Sequence, residues 1–141
     1  MLDLTSLKKA ISSMNNAILV CQYKDNAWNE QNNVREVIEA GVIQNFEFTY
    51  ELSYKFMVRW ISLNISPEAA SPLTKRDIFR TAARKELILD PTLWFTFTDA
   101  RNITFHTYDR KKAEQVLLLA PALLEEASYL YSVLERQNAE P

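Results

Sequence analysis

From Leu7 onward, apolar side chains recur at Leu7, Ile11, Met14, Ile18 and Cys21. Steps of four and three place them on one stripe of a helix, and Asp3 or Thr5 is placed to cap its start. Residues 24–33 are polar, with Asp25, Asn26, Asn29 and Asn32, and read as a loop around Trp28. A second, longer helix is predicted over residues 34–63, with Val34, Ile38, Phe48, Leu52 and Phe56 as core candidates. Its middle, QNFEFTYELSYKF, is apolar or aromatic on more than one face, which a surface helix does not need. Such a helix is central in a bundle or buried at a subunit interface. Gly41 inside it costs about 1 kcal/mol against alanine, and close approach of a neighbouring backbone would account for it.

The clearest break is residues 64–72, where Pro67 and Pro72 bracket a serine-containing stretch. Thr74 with Asp77 then resembles a capping box, aspartate replacing glutamate. A short helix follows, with Ile78, Phe79, Ala82 and Leu87 inward and Arg76, Arg80 and Arg84 on another face. Asp90-Pro91 reads as an N-cap followed by proline in the first helical position. That helix carries Leu93, Trp94, Phe97 and Arg101 and is predicted to end near His106. Asp109 starts the last helix, striped by Ala113, Val116, Leu117, Ala120, Leu124, Ala127, Leu130 and Leu134. Pro121 predicts a kink or break within it, and residues 136–141 a frayed tail. No segment alternates with period two over a strand length, so the product is an all-α bundle of about five helices, one domain over residues 1–141.

Composition narrows the chemistry. The 141 residues include one glycine, one histidine and one cysteine. About 7% glycine is usual, so roughly ten would be expected. A phosphate-cradling loop or dinucleotide fingerprint needs several glycines in a short window, so neither can form. One cysteine excludes an internal disulfide, and one histidine excludes a multi-histidine zinc site within one chain. Neither a metal nor a cofactor is expected. The net charge of −2 does not suit a globally basic nucleic-acid coat. No run of 18 apolar residues occurs, so no membrane span is expected. The N-terminus lacks a signal-peptide apolar block. With a free cysteine, this reads as a cytoplasmic protein.

Residues 98–109 concentrate the remaining chemistry. On a continuous helix Asp99, Asn102 and His106 share one face, and Arg101 and Tyr108 another. Arg101 and His106 are about 140° apart. They converge only if the helix ends between them or if two copies meet across a two-fold axis. Arginine is a permanent cation whose fork matches phosphate, and histidine moves protons near neutral pH. RNA supplies its own nucleophile, the 2′-hydroxyl, so these groups suffice for cleavage without a metal. A lone histidine near a helix C-terminus, however, more often caps carbonyls and offsets the helix dipole.

Arg101-Asn102-x-x-x-His106-x-Tyr108 resembles the Arg-x4-His-x-Tyr motif of the HEPN superfamily. It is closest in character to the HepT-like group of nucleotidyltransferase substrate-binding proteins. Residues 41–55, GVIQNFEFTYELSYK, are similar to that group's long-helix motif, and Ser71-Pro72 through Ile78-Phe79-Arg80 to a shorter one. Together they span roughly residues 5–135. The resemblance implies an up-and-down helical bundle, four main helices plus a short one, that forms a homodimer. It also implies a separately encoded minimal nucleotidyltransferase as partner, in a heterotetramer or larger complex. In the toxin–antitoxin version the HEPN chain is a metal-independent ribonuclease, silenced when the partner attaches AMP to the motif tyrosine. Carried onto this sequence, Arg101 and His106 are catalytic, Asn102 is the polar helper, and Tyr108 is the modified residue. Asp99 occupies an acidic position common before the arginine. The alternative is a non-catalytic subunit that binds nucleotide or substrate for the transferase.

Other residues carry weaker signals. Arg76, Arg80 and Arg84 could follow an RNA backbone or a nucleotide phosphate, although such a stripe is more often a solvated face. Glu47 and Glu51 are placed to bond across the bundle or the dimer, and Glu51 with Lys55 is a favourable pair. The aromatics Phe46, Phe48, Tyr50, Tyr54, Phe56 and Trp60 are expected in core or interface. Trp94 and Phe97 are expected in the core, and Cys21 as a small buried hydrophobe.

Overall fold

A 33-residue helix, α2 (Asn32–Asn64), is the element against which every other one packs. Around it lie α1 (Thr5–Gln22), α3 (Lys75–Arg84), α4 (Pro91–Asn102) and α5 (Arg110–Ala139). A 3-10 turn, Thr104–His106, links α4 to α5. The computed structural model describes residues 1–23, 32–106 and 108–140, and no strand occurs among them. The expected loop around Trp28 lies outside the described residues, except that its last two positions belong to α2. The all-helical bundle matches the pattern of the sequence.

The central place of α2 follows from its breadth. Val42, Phe46, Thr49, Ser53 and Phe56 line one buried edge, and Ile43, Tyr50, Met57 and Ile61 the next. Two adjacent i, i+3/i+4 rows make a face wide enough for neighbours on both sides. Phe79 of α3 lies at the centre of an aromatic cluster. Its ring centre is 5.8 Å from Trp94, 5.8 Å from Tyr54, 6.1 Å from Phe95 and 6.4 Å from Tyr50. Trp94 and Phe97 are fully buried. These rings hold α3 and α4 on α2 as one unit.

Several expectations change. Phe48 is 60% exposed, and Val34, Ile38 and Leu52 are half-buried. Phe48 is left outside because Phe46 and Tyr50, two residues to either side, meet Phe97 and Trp94 of α4, and Thr49 meets Ala10 of α1. Nothing lies within 4 Å of a Cβ built on Gly41, so no close approach explains that glycine. α3 ends at Arg84, and Leu87 is buried beyond it. The Leu87 N–H bonds Ala82 O at 2.9 Å and the Glu86 N–H bonds Ala83 O at 3.0 Å, with Glu86 left-handed at φ 62°. This is a Schellman closure with glutamate where glycine is usual. The Thr74 hydroxyl donates to the Asp77 carboxylate at 3.1 Å, a contact different from the capping box expected. Cys21 is half-buried, with burial pushing its thiol pKa up.

Asp90 and Asp109 cap α4 and α5 as expected, whereas the N-cap position of α1 is Leu4, with Asp3 just before it bonded to Thr5. Asp3 accepts from the Thr5 N–H at 3.0 Å, Asp90 from Thr92 N–H at 2.9 Å, and Asp109 from Lys111 N–H at 3.0 Å. α5 runs unbroken through Pro121. That residue is exposed, so water can take the backbone carbonyl that its ring leaves without a donor. Leu123 and Val133 are buried in α5, where Leu117 and Leu124 are only half-buried. The C-terminal turn is tied down, not frayed. Asn138 Nδ2 donates to Leu2 O at 2.7 Å, and Trp60 Nε1 donates to Gln137 Oε1. α5 is long and apolar enough, by length and composition, to cross a membrane. Its apolar stripe here packs on α1, α2 and α4.

Candidate functional site

The sequence run with unusual chemistry folds into three pieces. α4 stops at Asn102, one turn earlier than expected. The Ile103 N–H reaches back only three residues, to Ala100 O at 3.1 Å, and His106 N–H to Ile103 O at 3.0 Å. Tightening into 3-10 geometry closes the helix. Thr104 reinforces the stop. Its hydroxyl lies 2.8 Å from Arg101 O and 2.9 Å from Glu47 Oε2, and it donates to one or the other. The helix therefore ends between Arg101 and His106, one of the two conditions under which they could converge. The shared faces expected of a continuous helix do not form.

Arg101 is held from α2. Its Nε donates to Glu51 Oε1 at 2.6 Å, and its Nη2 lies 3.6 Å from Glu47 Oε1. The guanidinium stands 5.4 Å over the ring centre of Phe105. Two carboxylates face one cation, so the local balance is negative. A phosphate entering here must displace a carboxylate from the fork. Glu47 and Glu51 thus acquire a definite place, bonding across the bundle to the candidate catalytic arginine.

His106 meets Tyr108, not Arg101. The His106 Nδ1 lies 3.0 Å from the Tyr108 hydroxyl, and the rings sit edge to face at 5.7 Å. Tyr108 is 84% exposed and Phe105 71% exposed. Asn102 and Asp99 are exposed on the last turns of α4. The α3 cations Arg76, Arg80 and Arg84 are also exposed. Among the described residues, no three His, Cys, Asp or Glu side chains gather where they would hold a metal ion.

One cluster escaped the sequence reading. Glu39 is buried, and Arg110 grips it with Nη1 at 2.7 Å and Nη2 at 3.0 Å. Arg110 Nε also bonds Glu114 at 3.0 Å. The Arg110 hydrogen bonds hold the Glu39 carboxyl below the usual range, and the two carboxylates raise the guanidinium pKa in turn. A groove of about 450 Å³ between α2 and α5 is lined by Glu36, Glu39, Ile43, Arg110 and Tyr108 among others. The available signal was a glutamate in register with Val42 and Phe46 on an otherwise apolar edge.

The class of protein is thus a helical bundle that presents an arginine at the end of α4 and, after the break, a histidine paired with an exposed tyrosine. Residues 2–136 match the family described as nucleotidyltransferase substrate binding protein like. The chain belongs to that family. It is 36% identical over 140 residues to a Haemophilus influenzae protein named Probable ribonuclease HepT, covering 97% of this chain and 94% of the relative. A solved Haemophilus influenzae structure, described as the fold of a substrate binding domain of a nucleotidyltransferase, superposes with a TM-score of 0.85. It has 37% identity and covers 94% of this chain and 99% of its own. A structure from Thermus thermophilus superposes with a TM-score of 0.71 at 20% identity, covering 91% and 98% of the two chains. That likeness is one of fold alone.

Proposed function

We propose that this protein is a metal-independent endoribonuclease, the toxin half of a pair with a separately encoded minimal nucleotidyltransferase, and that it works as a homodimer. The observation that carries the reading is the break at the end of α4, with Arg101 in the last helical turn before it and the only histidine, paired with an exposed tyrosine, directly after it. The named relative supports the activity, and the family supports a transferase partner. In this reading Arg101 turns its fork from Glu51 to the scissile phosphate and stabilises the charge that grows on it. His106 takes the proton from the adjacent 2′-hydroxyl. The 2′-oxygen attacks phosphorus, the bond to the 5′-oxygen breaks, and the leaving oxygen takes a proton from an imidazolium. A two-fold axis would bring the partner subunit's imidazole to serve as that acid, and exposed Phe48, Phe105 and Tyr108 supply an apolar surface for it. Asn102 assists Arg101.

AMP attached to the Tyr108 hydroxyl would occupy the oxygen that now meets His106 Nδ1. It would bring bulk and negative charge to the place where RNA enters. Purified protein should cleave single-stranded RNA in the presence of a chelator, and His106→Ala should abolish cleavage. With the partner and ATP added, mass spectrometry should find AMP on Tyr108 and cleavage should stop. If wild-type protein and His106→Ala are equally inert on RNA, the ribonuclease reading is wrong.

A second reading is favoured by the carboxylates that occupy Arg101. The chain would then be a non-catalytic subunit presenting a nucleotide or other acceptor to the transferase. It predicts transfer of AMP to a separate small molecule, with Tyr108 unmodified.

A further inference from the structure

Three cations of α3 stand on aromatic rings. Lys75 Nζ lies 4.9 Å from the ring centre of Tyr54 and 5.9 Å from that of Tyr50. The guanidinium carbons of Arg76 and Arg80 lie 4.8 Å and 5.4 Å from the ring centre of Phe95. Beneath them, buried Phe79 touches both Tyr54 and Phe95. Asp77 steadies Arg80 from its own helix at 2.9 Å. All three cations remain exposed. Side chains settled on rings give up less freedom when they meet an anion. The stretch 75–86 holds five cations against two carboxylates, in a chain with 16 against 18 overall. Arg84 stands apart, bonded to the Thr81 hydroxyl at 3.1 Å, and behaves as an ordinary solvated residue.

This face leads to Arg101. Tyr54 is one α2 turn beyond Glu51, whose carboxylate holds Arg101. Tyr50, the second ring under Lys75, bonds Thr98 of α4 at 2.6 Å, three residues before Arg101. Phe95 is six residues before Arg101, about 9 Å along the axis. At about 100° per residue, Thr98 falls between Phe95 and Arg101, whereas Asp99 lies about 40° to the other side of Phe95, one turn along. The exposed acid of α4 therefore flanks the Phe95 end of the line and is about 160° from Arg101. Phe95 and Arg101 are also about 120° apart around α4, so a stacked single strand, rising about 3.4 Å per nucleotide, needs more than about three nucleotides to pass from one to the other.

We infer that Lys75, Arg76 and Arg80 form a phosphate track that guides single-stranded RNA to Arg101 and positions the strand there. Single strands are held by cations that follow the backbone, and here the rings of Tyr54 and Phe95 seat those cations. At the end of the track Arg101 can take a phosphate once its fork leaves Glu51. The inference rests on the reading of Arg101 as a phosphate ligand.

The test uses the full chain without its partner and a fluorescein-labelled single-stranded RNA of about 12 nucleotides. Binding is measured by anisotropy across a salt series in the His106→Ala background, which keeps the RNA intact. Each lost phosphate contact lowers the log–log salt slope by about 0.7. The triple variant Lys75→Gln, Arg76→Gln, Arg80→Gln should therefore lose about 2 from the slope, equivalent to about 100-fold weaker binding at 0.1 M salt relative to 1 M. With His106 intact, the triple variant should raise KM and leave kcat near its starting value. Arg76→Lys with Arg80→Lys should restore the slope, because charge is what the track supplies. An unchanged slope in the triple variant overturns the inference, as does absence of RNA binding by the parent. Normal RNA binding combined with lost capture of the nucleotidyltransferase also overturns it, and assigns the face to protein docking. Track-dependent binding without cleavage by the wild type leaves the track standing and removes the ribonuclease reading instead.

Discussion

Arg101→Ala is expected to cost stability as well as function, and the cause is the pair of carboxylates that grip it. At 2.6 Å from Glu51 Oε1, the gross attraction at an effective dielectric constant near 20 is about 6 kcal/mol. Desolvation and side-chain ordering cancel most of it. The two side chains are 20% and 31% exposed. That places the pair between exposed bridges, worth about 0.2–1 kcal/mol, and buried ones, which cost about 3–5 kcal/mol to break. A coupling near 1.5 kcal/mol follows. Removing Arg101 also leaves Glu47 and Glu51 as like charges one turn apart, a further few tenths. Arg101→Ala should thus lose about 2 kcal/mol, measured by urea unfolding at pH 7. Glu51→Gln should lose about 1 kcal/mol. In a double-mutant cycle the two losses should not add. A coupling below about 0.3 kcal/mol would refute the claim that these carboxylates position the guanidinium. Function supplies a second readout: Glu51→Gln, with the arginine released, should lower KM for RNA while Arg101→Ala abolishes cleavage.

Three further outcomes are expected. Gly41→Ala should stabilise the protein by about 0.5–1 kcal/mol, because α2 gains helix propensity and the added methyl enters open space. At about 2.1 cal/mol/K per residue of unfolding entropy, that raises Tm by about 2–3 °C, and a lower Tm in calorimetry would contradict it. Glu86→Gly should stabilise by about 1 kcal/mol, since φ is 62° there and a Cβ is strained; an unchanged urea midpoint would argue against strain. Glu39, held below the ordinary glutamate value of 4.5 by Arg110, contributes stability that is fully present above that value and is lost as pH falls through its lower folded value. The stability gap between wild type and Glu39→Gln should therefore be constant from pH 7 to 5 and shrink at lower pH. A gap that persists to pH 2.5 would refute the linkage.

Much of the architecture was already written in periodicity and punctuation. The N-terminal stripe, the Pro67–Pro72 break, the Asp90-Pro91 start and the Asp109 cap are local signals. Each depends on backbone groups and neighbours a few residues away. The wide apolar middle of α2 announced a central helix, because only two rows of neighbours require two rows of apolar residues. Local reasoning failed where a distant group decided the outcome. Phe48 and Phe46 are alike in sequence, and only the positions of α1 and α4 separate the exposed ring from the buried one. The C-terminal turn is polar enough to fray, and stays helical because Asn138 and Gln137 meet Leu2 and Trp60.

The site shows the same division. The sequence by itself determined that imidazole chemistry must pass through His106, that no glycine loop holds a nucleotide, and that Arg101, His106 and Tyr108 lie within one short run. Only tertiary structure decided how they are presented. Thr104 and Glu47, 57 residues apart, help end α4 between Arg101 and His106. Glu51 binds Arg101 across 50 residues, and Glu39 binds Arg110 across 71. Backbone conformation and caps depend on contacts within a turn, so they can be read along the chain. A carboxylate's partner depends on which helices pack together, and that is settled only when the whole core closes.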